Sequence, residues 1–393
     1  MELNDHSVVT LYPLNIRKDK KNYIVENIES GEFFEMPAIC IDAIGLITKG
    51  CNLAEIEDTL KLRYPDEEVD IKCFIHDLLE LGLISSLDGK DILRDQLNRK
   101  ERSGLVWISP KVGRFFFNKF TSRLYLTTFI ASLLIFLLNP NLFPTYKDIF
   151  VFELMMNNIF AFLSITFLLV VVHEIGHVLA VRAEGLPTRI EVGHRLVFVV
   201  LETDMSRVWS LPPNKRNRLY LAGMYFDGVI LLIGLLGQML FPANSLVVGM
   251  AQMIVFSTFI RIIFQCCVFM KTDFYYILEN ETGCYNLMEN GQNFLKRWLP
   301  FLPAVKTSES FEGEDRLVKP FAVFYLIGVG ITIAVLVGYN IPLIIHAGIL
   351  VVPGFSESVN SILFWDAVVF YLQFVLVLGL LTYSWMKKYR VNY

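Results

Sequence analysis

The run Val171-Val172-His173-Glu174-Ile175-Gly176-His177 decides the fold, because it places an HExxH pattern inside an apolar stretch that can cross a membrane. Residues four apart share one face of a helix, so His173 and His177 can direct ring nitrogens at one metal ion while Glu174 lies beside them. Bound zinc lowers the pKa of its water from about 15.7 to about 7, and a neighbouring carboxylate can take the released proton. The motif therefore predicts zinc-dependent peptide hydrolysis within the bilayer.

The composition indicates a polytopic membrane protein. The 393 residues are 54% hydrophobic and 19% charged, with a mean hydropathy of +0.48. The net charge of −4 comes without a basic block that could follow phosphates, so nucleic acid is not expected as a partner. The first twenty residues lack an apolar core followed by a cleavage site, which predicts an N-terminus that stays in the cytosol.

The apolar segments predict about six transmembrane helices, at residues 124–143, 159–181, 219–241, 246–270, 321–339 and 362–385. Residues 342–352 are apolar but too short to cross, and we interpret them as re-entrant or interfacial. Lysine and arginine concentrate in alternate loops, and the outer loops hold only Lys147. The positive-inside rule then predicts a multi-pass protein of the cell membrane with both chain ends in the cytosol.

The chain before the first span divides into a small domain at 1–90 and a basic linker at 91–123, followed by a transmembrane domain at 124–393. A first strand at 8–11 and a hairpin of 23–27 with 32–36 around Ser30-Gly31 are followed by helices at 37–48, 53–64 and 69–81. The expected fold is an α-helical polytopic membrane protein with a small N-terminal α+β, winged-helix-like cytosolic domain.

A catalytic zinc ion needs a third protein ligand, and Asp273 is the best candidate. It follows the fourth predicted span at the cytosolic depth of the histidines. Ionisable groups inside spans are costly without partners, which favours a functional role for the motif. Asp227 and Arg261 also lie within spans, and they either form a buried pair or leave Asp227 to contact substrate. His194 and His346 lack partners at ligand spacing and are not expected to bind metal.

The motif His173-Glu174-Ile175-Gly176-His177 with Asp273 after a later span resembles the site-2 protease family of intramembrane zinc metalloproteases, over about 160–278. The resemblance implies that the two histidines and Asp273 hold zinc and that Glu174 is the general base. Phe274 stands where that family usually has glycine, and Asp227 lies near a family asparagine that positions the substrate carbonyl. These two departures concern substrate positioning more than the metal.

Residues 189–203 are rich in β-branched side chains and follow the HExxH helix. A protease needs an extended substrate, and a free strand edge here can bind one by strand addition, with Val197 and Val199 as candidate contacts. A plain surface hairpin is the alternative.

The N-terminal element order, ending in Gly82-Leu83-Ile84, resembles the PqqD-like domains that recognise precursor peptides of ribosomally made, modified natural products. The resemblance covers about residues 7–86. It implies that a leader peptide adds beside strand 32–36 and packs on helix 70–81, with Phe33, Phe34 and Phe74 as contact residues. A winged-helix-like domain that binds another protein is the alternative.

Together these features predict a membrane protease that matures a precursor peptide under the guidance of its leader. A second hypothesis keeps the protease but gives it a membrane-anchored regulator as substrate. A third is a non-proteolytic peptide transporter or immunity protein with structural zinc, against which Glu174 argues, since a structural site needs no general base.

Overall fold

The computed structural model describes residues 4–92, 104–195, 198–297, 299 and 315–390. The N-terminal domain holds six short strands, namely β1 (Val9–Leu11), β2 (Leu14–Lys18), β3 (Tyr23–Asn27), β4 (Phe33–Met36), β5 (Ile84–Leu87) and β6 (Lys90–Asp91). They form two antiparallel three-stranded sheets, with the orders β1-β5-β6 and β2-β3-β4. The predicted hairpin is confirmed as β3 and β4.

The sequence reasoning found three N-terminal strands, and that number was wrong. The sequence did not predict strand β2 because only two of its five residues, Leu14 and Ile16, are apolar. In the structure both pack against the domain core. The first strand pairs with β5 rather than with the hairpin. The strand that we took as the third of the domain is therefore β4, at the edge of the second sheet.

Three helices complete this domain, namely α1 (Ala38–Thr48), α2 (Leu53–Arg63) and α3 (Ile71–Glu80), each within one or two residues of its predicted bounds. Asn52 begins α2 with a capping box, in which its side chain accepts from the Glu55 amide and the Glu55 carboxylate accepts from the Asn52 amide. The helices bury Ile44, Ile56 and Leu78 against the sheets, so the domain has a core of its own.

The rest of the chain is mostly helical. Its helices are α4 (Pro110–Phe116), α5 (Lys119–Leu138), α6 (Met155–Ala183), α7 (Pro213–Tyr220), α8 (Ala222–Leu240), α9 (Ser245–Phe264), α10 (Asp273–Thr282), α11 (Leu287–Lys296), α12 (Asp315–Val335), α13 (Ile341–Val351) and α14 (Ile362–Arg390). A two-stranded hairpin of β7 (Ile190–Arg195) and β8 (Phe198–Thr203) follows α6.

Five helical segments of the described chain are long and apolar enough to cross a membrane, namely Lys119–Leu138, Met155–Ala183, Pro213–Leu240, Ser245–Phe264 and Arg316–Ser356. The predicted sixth span coincides with α14, of which Ile362–Leu376 counts as a shorter apolar helix within the described residues. Large apolar side chains such as Phe160 and Phe167 are 75% and 60% exposed on α6. An apolar surface of this extent is typical of a helical membrane protein.

Two segments differ from their predicted boundaries. Helix α5 begins at Lys119, inside the predicted linker, because Asn118 caps it with its side chain. Residues 342–352, predicted as a separate piece, belong to one helical stretch of 41 residues, Arg316–Ser356. A π-helical turn at Leu336–Asn340 joins α12 to α13 within this stretch, so the chain remains helical there.

The packing of α6 against α8 positions the candidate site. Gly176 allows the close approach, because a Cβ atom there would lie 2.8 Å from the carbonyl oxygen of Ala222. Helix α8 also packs on α5 and α9, so it is held from three sides. The second histidine of the motif lies six residues before the end of α6, about 9 Å along the axis at about 1.5 Å per residue.

Candidate metal centre

The two motif histidines lie one turn apart on α6 and face the same point. The Nε2 atoms of His173 and His177 are 3.3 Å apart, and both side chains are buried. Gly223 on α8 leaves room for the first ring, since a Cβ atom there would lie 2.3 Å from the His173 Nε2 atom. The short distance between the two Nε2 atoms confirms that both histidines lie on one face of α6.

Asp273 reaches the same point from the first residue of α10. A left-handed residue, Lys271, turns the chain after α9, and Gln265 accepts from the Thr272 hydroxyl and from the Asp273 amide. The Asp273 Oδ2 atom lies 3.1 Å from the Nε2 atom of His173 and 3.2 Å from that of His177. The predicted third ligand is therefore in contact with both histidines.

The partners of the two Nδ1 atoms determine the tautomers of His173 and His177. The Nδ1 atom of His177 lies 3.0 Å from the Leu219 carbonyl oxygen, which can only accept, so Nδ1 carries a proton and the neutral ring, the form that binds metal, presents a lone pair at Nε2. The Nδ1 atom of His173 lies 2.9 Å from the Asp227 carboxylate, which favours the same tautomer. Two lone pairs and a carboxylate oxygen then converge at one point, an arrangement that a cation stabilises.

The separations fit a tetrahedral metal. Ligands bound at about 2.0–2.1 Å to a tetrahedral zinc ion lie about 3.3–3.4 Å apart, and the three separations here are 3.1, 3.2 and 3.3 Å. Within the described residues this is the only group of three or more His, Cys, Asp and Glu side chains arranged to hold a metal. The donor set of two imidazoles and one carboxylate suits zinc and leaves a fourth position for a substrate or water molecule.

Glu174 lies next to these ligands and lines a cavity of about 310 Å³. Its Oε2 atom accepts a 2.8 Å hydrogen bond from the Thr203 hydroxyl at the end of β8. The β7–β8 hairpin thus fixes the carboxylate and also forms one wall of the cavity. The lining residues are Glu174, His177, Glu191, Glu202, Thr203, Asp204, Met205, Ser206, Trp209, Tyr220, Asp273 and Tyr276.

The Asp227 carboxylate forms the predicted pair with Arg261, at 2.6 Å from Nη2 and 3.1 Å from Nε. It is fully buried behind His173 and does not line the cavity, so the structure favours the pair over a substrate contact. Its second partner, the Nδ1 atom of His173, was not predicted. Asp227 therefore contacts the site through the His173 Nδ1 atom, which points away from Asp273 and His177.

The other residues predicted to contact substrate either do not line the cavity or lie outside the part of the chain that the structure describes. Val197 lies outside the described residues, and Val199 is described only as part of strand β8. Phe33 is on β4, and Phe34 and Phe74 pack against the core of the N-terminal domain. His346 packs edge-on against Tyr146 and Phe150 and contacts no metal ligand in the described chain.

Several residues of the site were missed from the sequence. Thr203 and Gln265 hold the candidate base and the third ligand, but a single polar residue beside an apolar segment carries no distinct signal. Gly223 did carry one, because it lies four residues before Asp227 in a predicted span and therefore shares a helix face with it.

Comparisons of the chain with protein-family models, with curated proteins and with solved structures find no match. The assignment of a function therefore depends on the contacts of the site.

Proposed function

We propose that this protein is an intramembrane zinc metalloendopeptidase. The observation that carries the proposal is the convergence of His173, His177 and Asp273 on one point, with Glu174 on the wall of the adjoining cavity. A purely structural zinc site closes its coordination with a fourth protein ligand, whereas three ligands beside a cavity and a carboxylate are typical of hydrolytic sites.

The residues divide the chemistry among them. His173, His177 and Asp273 would hold a zinc ion, which when bound would supply a Lewis acid for the water molecule and for the carbonyl of the scissile bond. Glu174 takes a proton from the attacking water and returns it to the departing amine. Thr203 donates to one carboxylate oxygen of Glu174, which orients the carboxylate and leaves the other oxygen for the proton.

The β7–β8 hairpin is suited to hold the substrate. A peptide bond becomes accessible only when the substrate is extended, and a strand edge next to the cavity can pair with an extended segment. Glu191 and Thr203, one on each strand, line the cavity, which supports binding of substrate along this hairpin. The proposal places the substrate backbone between the hairpin and Glu174.

The resemblance to site-2 proteases and to PqqD-like domains suggests the biological task. A precursor peptide of a ribosomally made natural product would bind through its leader to the N-terminal domain, which raises its effective concentration at the zinc site. The chain would lie in the cell membrane with both ends in the cytosol, and its partners would be the precursor and the lipid bilayer. No nucleic acid takes part in this proposal.

The test compares wild type with Glu174→Gln in detergent. Metal content is measured by elemental analysis, and cleavage of a library of unstructured decapeptides is followed by mass spectrometry of new termini. We expect one zinc per chain in both proteins and about a 100- to 10,000-fold slower cleavage by the variant, since it loses its general base. Removal of zinc with a chelator should stop cleavage by wild type, and added zinc should restore it.

Glu184→Gln is the matched control, because Glu184 ends the same helix, pairs with Lys215 and does not line the cavity. It should cleave like wild type. A wild type that binds no zinc, or that yields no products the Glu174→Gln protein lacks, would refute the proposal.

A further inference from the structure

One hairpin of the N-terminal domain contacts the membrane part at several residues. This β2–β3 hairpin, defined as residues 14–27, bears Arg17, Asp19, Lys20 and Glu26, each of which contacts residues of the membrane part. The contacts reach three segments, namely the 3-10 turn Ser206–Ser210, helix α7 through Arg216, and helix α10. Each segment supplies residues to the cavity wall.

The first contact holds the Ser206–Ser210 turn. The Arg17 guanidinium donates to the carbonyl oxygens of Trp209 and Ser210, and Glu26 lies 3.7 Å from the Arg207 guanidinium. Gly31, in the turn between β3 and β4, lies directly against Arg207, where a Cβ atom would come within 2.2 Å of the guanidinium. Since Trp209 lines the cavity, the N-terminal domain holds one wall of the candidate active site.

A buried ion pair strengthens this contact. Asp19 and Arg216 approach to 2.8 Å with side chains 2% and 0% exposed, and the Tyr285 hydroxyl donates to the same carboxylate oxygen at 2.9 Å. The Arg216 guanidinium lies 4.6 Å from the centre of the Trp209 ring, and the Tyr285 ring meets that indole edge-on at 4.7 Å. Asp19 thus fixes both side chains that pack on Trp209.

The second contact holds the far end of α10. The Lys20 ammonium donates to the Glu281 carbonyl oxygen at 2.6 Å, and Arg216 donates to Asn280 at 3.4 Å. Helix α10 begins at Asp273, and Glu281 lies eight residues further along it, about 12 Å at about 1.5 Å per residue, so a shift at this end would act on Asp273 through one helix. One hairpin therefore restrains the cavity wall at Trp209 and the helix that presents Asp273.

We infer that the β2–β3 hairpin is a positioning element of the active site, acting through Trp209 and α10, and does more than deliver substrate. The inference rests on the proposed function and adds Arg17 and Asp19 as positioning residues. Their loss should lower the turnover of a substrate that never touches the N-terminal domain. A domain that only delivers substrate would instead alter the apparent affinity for a long precursor and leave turnover of a short peptide unchanged.

The test uses the full chain in detergent with Arg17→Ala and Asp19→Asn. Asp42→Asn is the matched control, because it breaks an exposed pair with Arg63 inside the same domain. Hydrogen–deuterium exchange of residues 206–210 and 273–282 is measured together with zinc content and with kcat and KM for a decapeptide that wild type cleaves. Asp19→Asn leaves Arg216 buried without its anion, so Arg17→Ala serves as the variant that keeps the buried pair.

Faster exchange of residues 206–210 in both variants and of residues 273–282 in Asp19→Asn, with zinc retained, kcat lowered at least tenfold and KM within about threefold of wild type, supports the inference, provided that the control behaves as wild type. Unchanged exchange in Arg17→Ala, or exchange that rises while kcat stays at the wild-type value, overturns it. If wild type cleaves no peptide, the proposed function fails by itself, and the exchange data still decide whether the hairpin restrains the two segments.

Discussion

The contact between Asp227 and His173 leads to a prediction about metal affinity. One carboxylate oxygen, Oδ2, accepts from the His173 Nδ1 atom at 2.9 Å and from the Arg261 Nε atom at 3.1 Å, while Oδ1 accepts from Arg261 Nη2 at 2.6 Å. The Asp227→Asn variant keeps the shape but has only one acceptor oxygen. Whichever way the amide turns, its NH2 group faces a donor.

Both orientations of the amide in Asp227→Asn are unfavourable, one because of Arg261 and the other because of His173. An amide oxygen turned toward His173 places the NH2 group against the Arg261 guanidinium, and the opposite orientation drives His173 to the tautomer that protonates its metal-facing nitrogen. Loss of such an outer partner typically lowers metal affinity by about 10–100-fold, or about 1.4–2.7 kcal/mol. The Arg261 side chain, which is 17% exposed, also loses its anionic partner, and this adds a loss of stability of about 3 kcal/mol.

The assay is a competitive chelator titration of zinc in detergent, with thermal unfolding measured on the same samples. The double variant Asp227→Asn with Arg261→Gln separates the two effects, because a glutamine can accept from the new NH2 group and let the amide oxygen face His173. We expect it to recover most of the zinc affinity. Wild-type affinity in the single variant, or a double variant no better than the single one, would refute the reasoning.

Two further predictions concern α8 and α10. Gly223→Ala places a Cβ atom 2.3 Å from the His173 Nε2 atom, so zinc affinity measured by the same titration should fall by about 10-fold or more, whereas Gly228→Ala, with its nearest neighbour at 3.8 Å, should bind as wild type. Burial raises the pKa of Glu279 to about 8 from an ordinary value of 4.5, so the folded state holds a proton that the unfolded state releases, and the stability from this group falls as pH rises through that window. Thermal unfolding at about pH 5 and about pH 8.5 should show a smaller loss of stability in Glu279→Gln than in wild type, and equal losses would contradict the assignment.

The sequence predicted those parts of the site that depend on local spacing. Four-residue spacing placed both histidines on one helix face, and the need for a third ligand together with the depth of Asp273 pointed to the carboxylate that the structure brings against both rings. Helix bounds were close where an apolar pattern ended at a capping residue. The span 124–143 began too late because Asn118, which caps α5, lies among basic residues that resemble a linker.

Contacts between distant segments could not be predicted in this way. Strand β2 has two apolar and two charged residues, which indicates a surface loop, yet its Arg17 reaches the carbonyl groups of a turn nearly two hundred residues away. The ion pair of Asp19 with Arg216 is equally invisible, because each residue alone resembles an ordinary solvated charge. Only the fold shows that these charges are buried together.

The arrangement of α7 and α8 explains why the site needs more than the HExxH helix. Leu219, Gly223 and Asp227 follow one another at intervals of four, and this single stripe meets both histidines, through the Leu219 carbonyl at His177 and through Gly223 and Asp227 at His173. Leu219 meets the later histidine and Asp227 meets the earlier one. The α7–α8 segment therefore runs antiparallel to α6. The four-residue spacing therefore places the space at Gly223 and the acceptors at Leu219 and Asp227 opposite the two histidines, which are themselves four residues apart. The α7–α8 segment in this way sets the orientation of both rings.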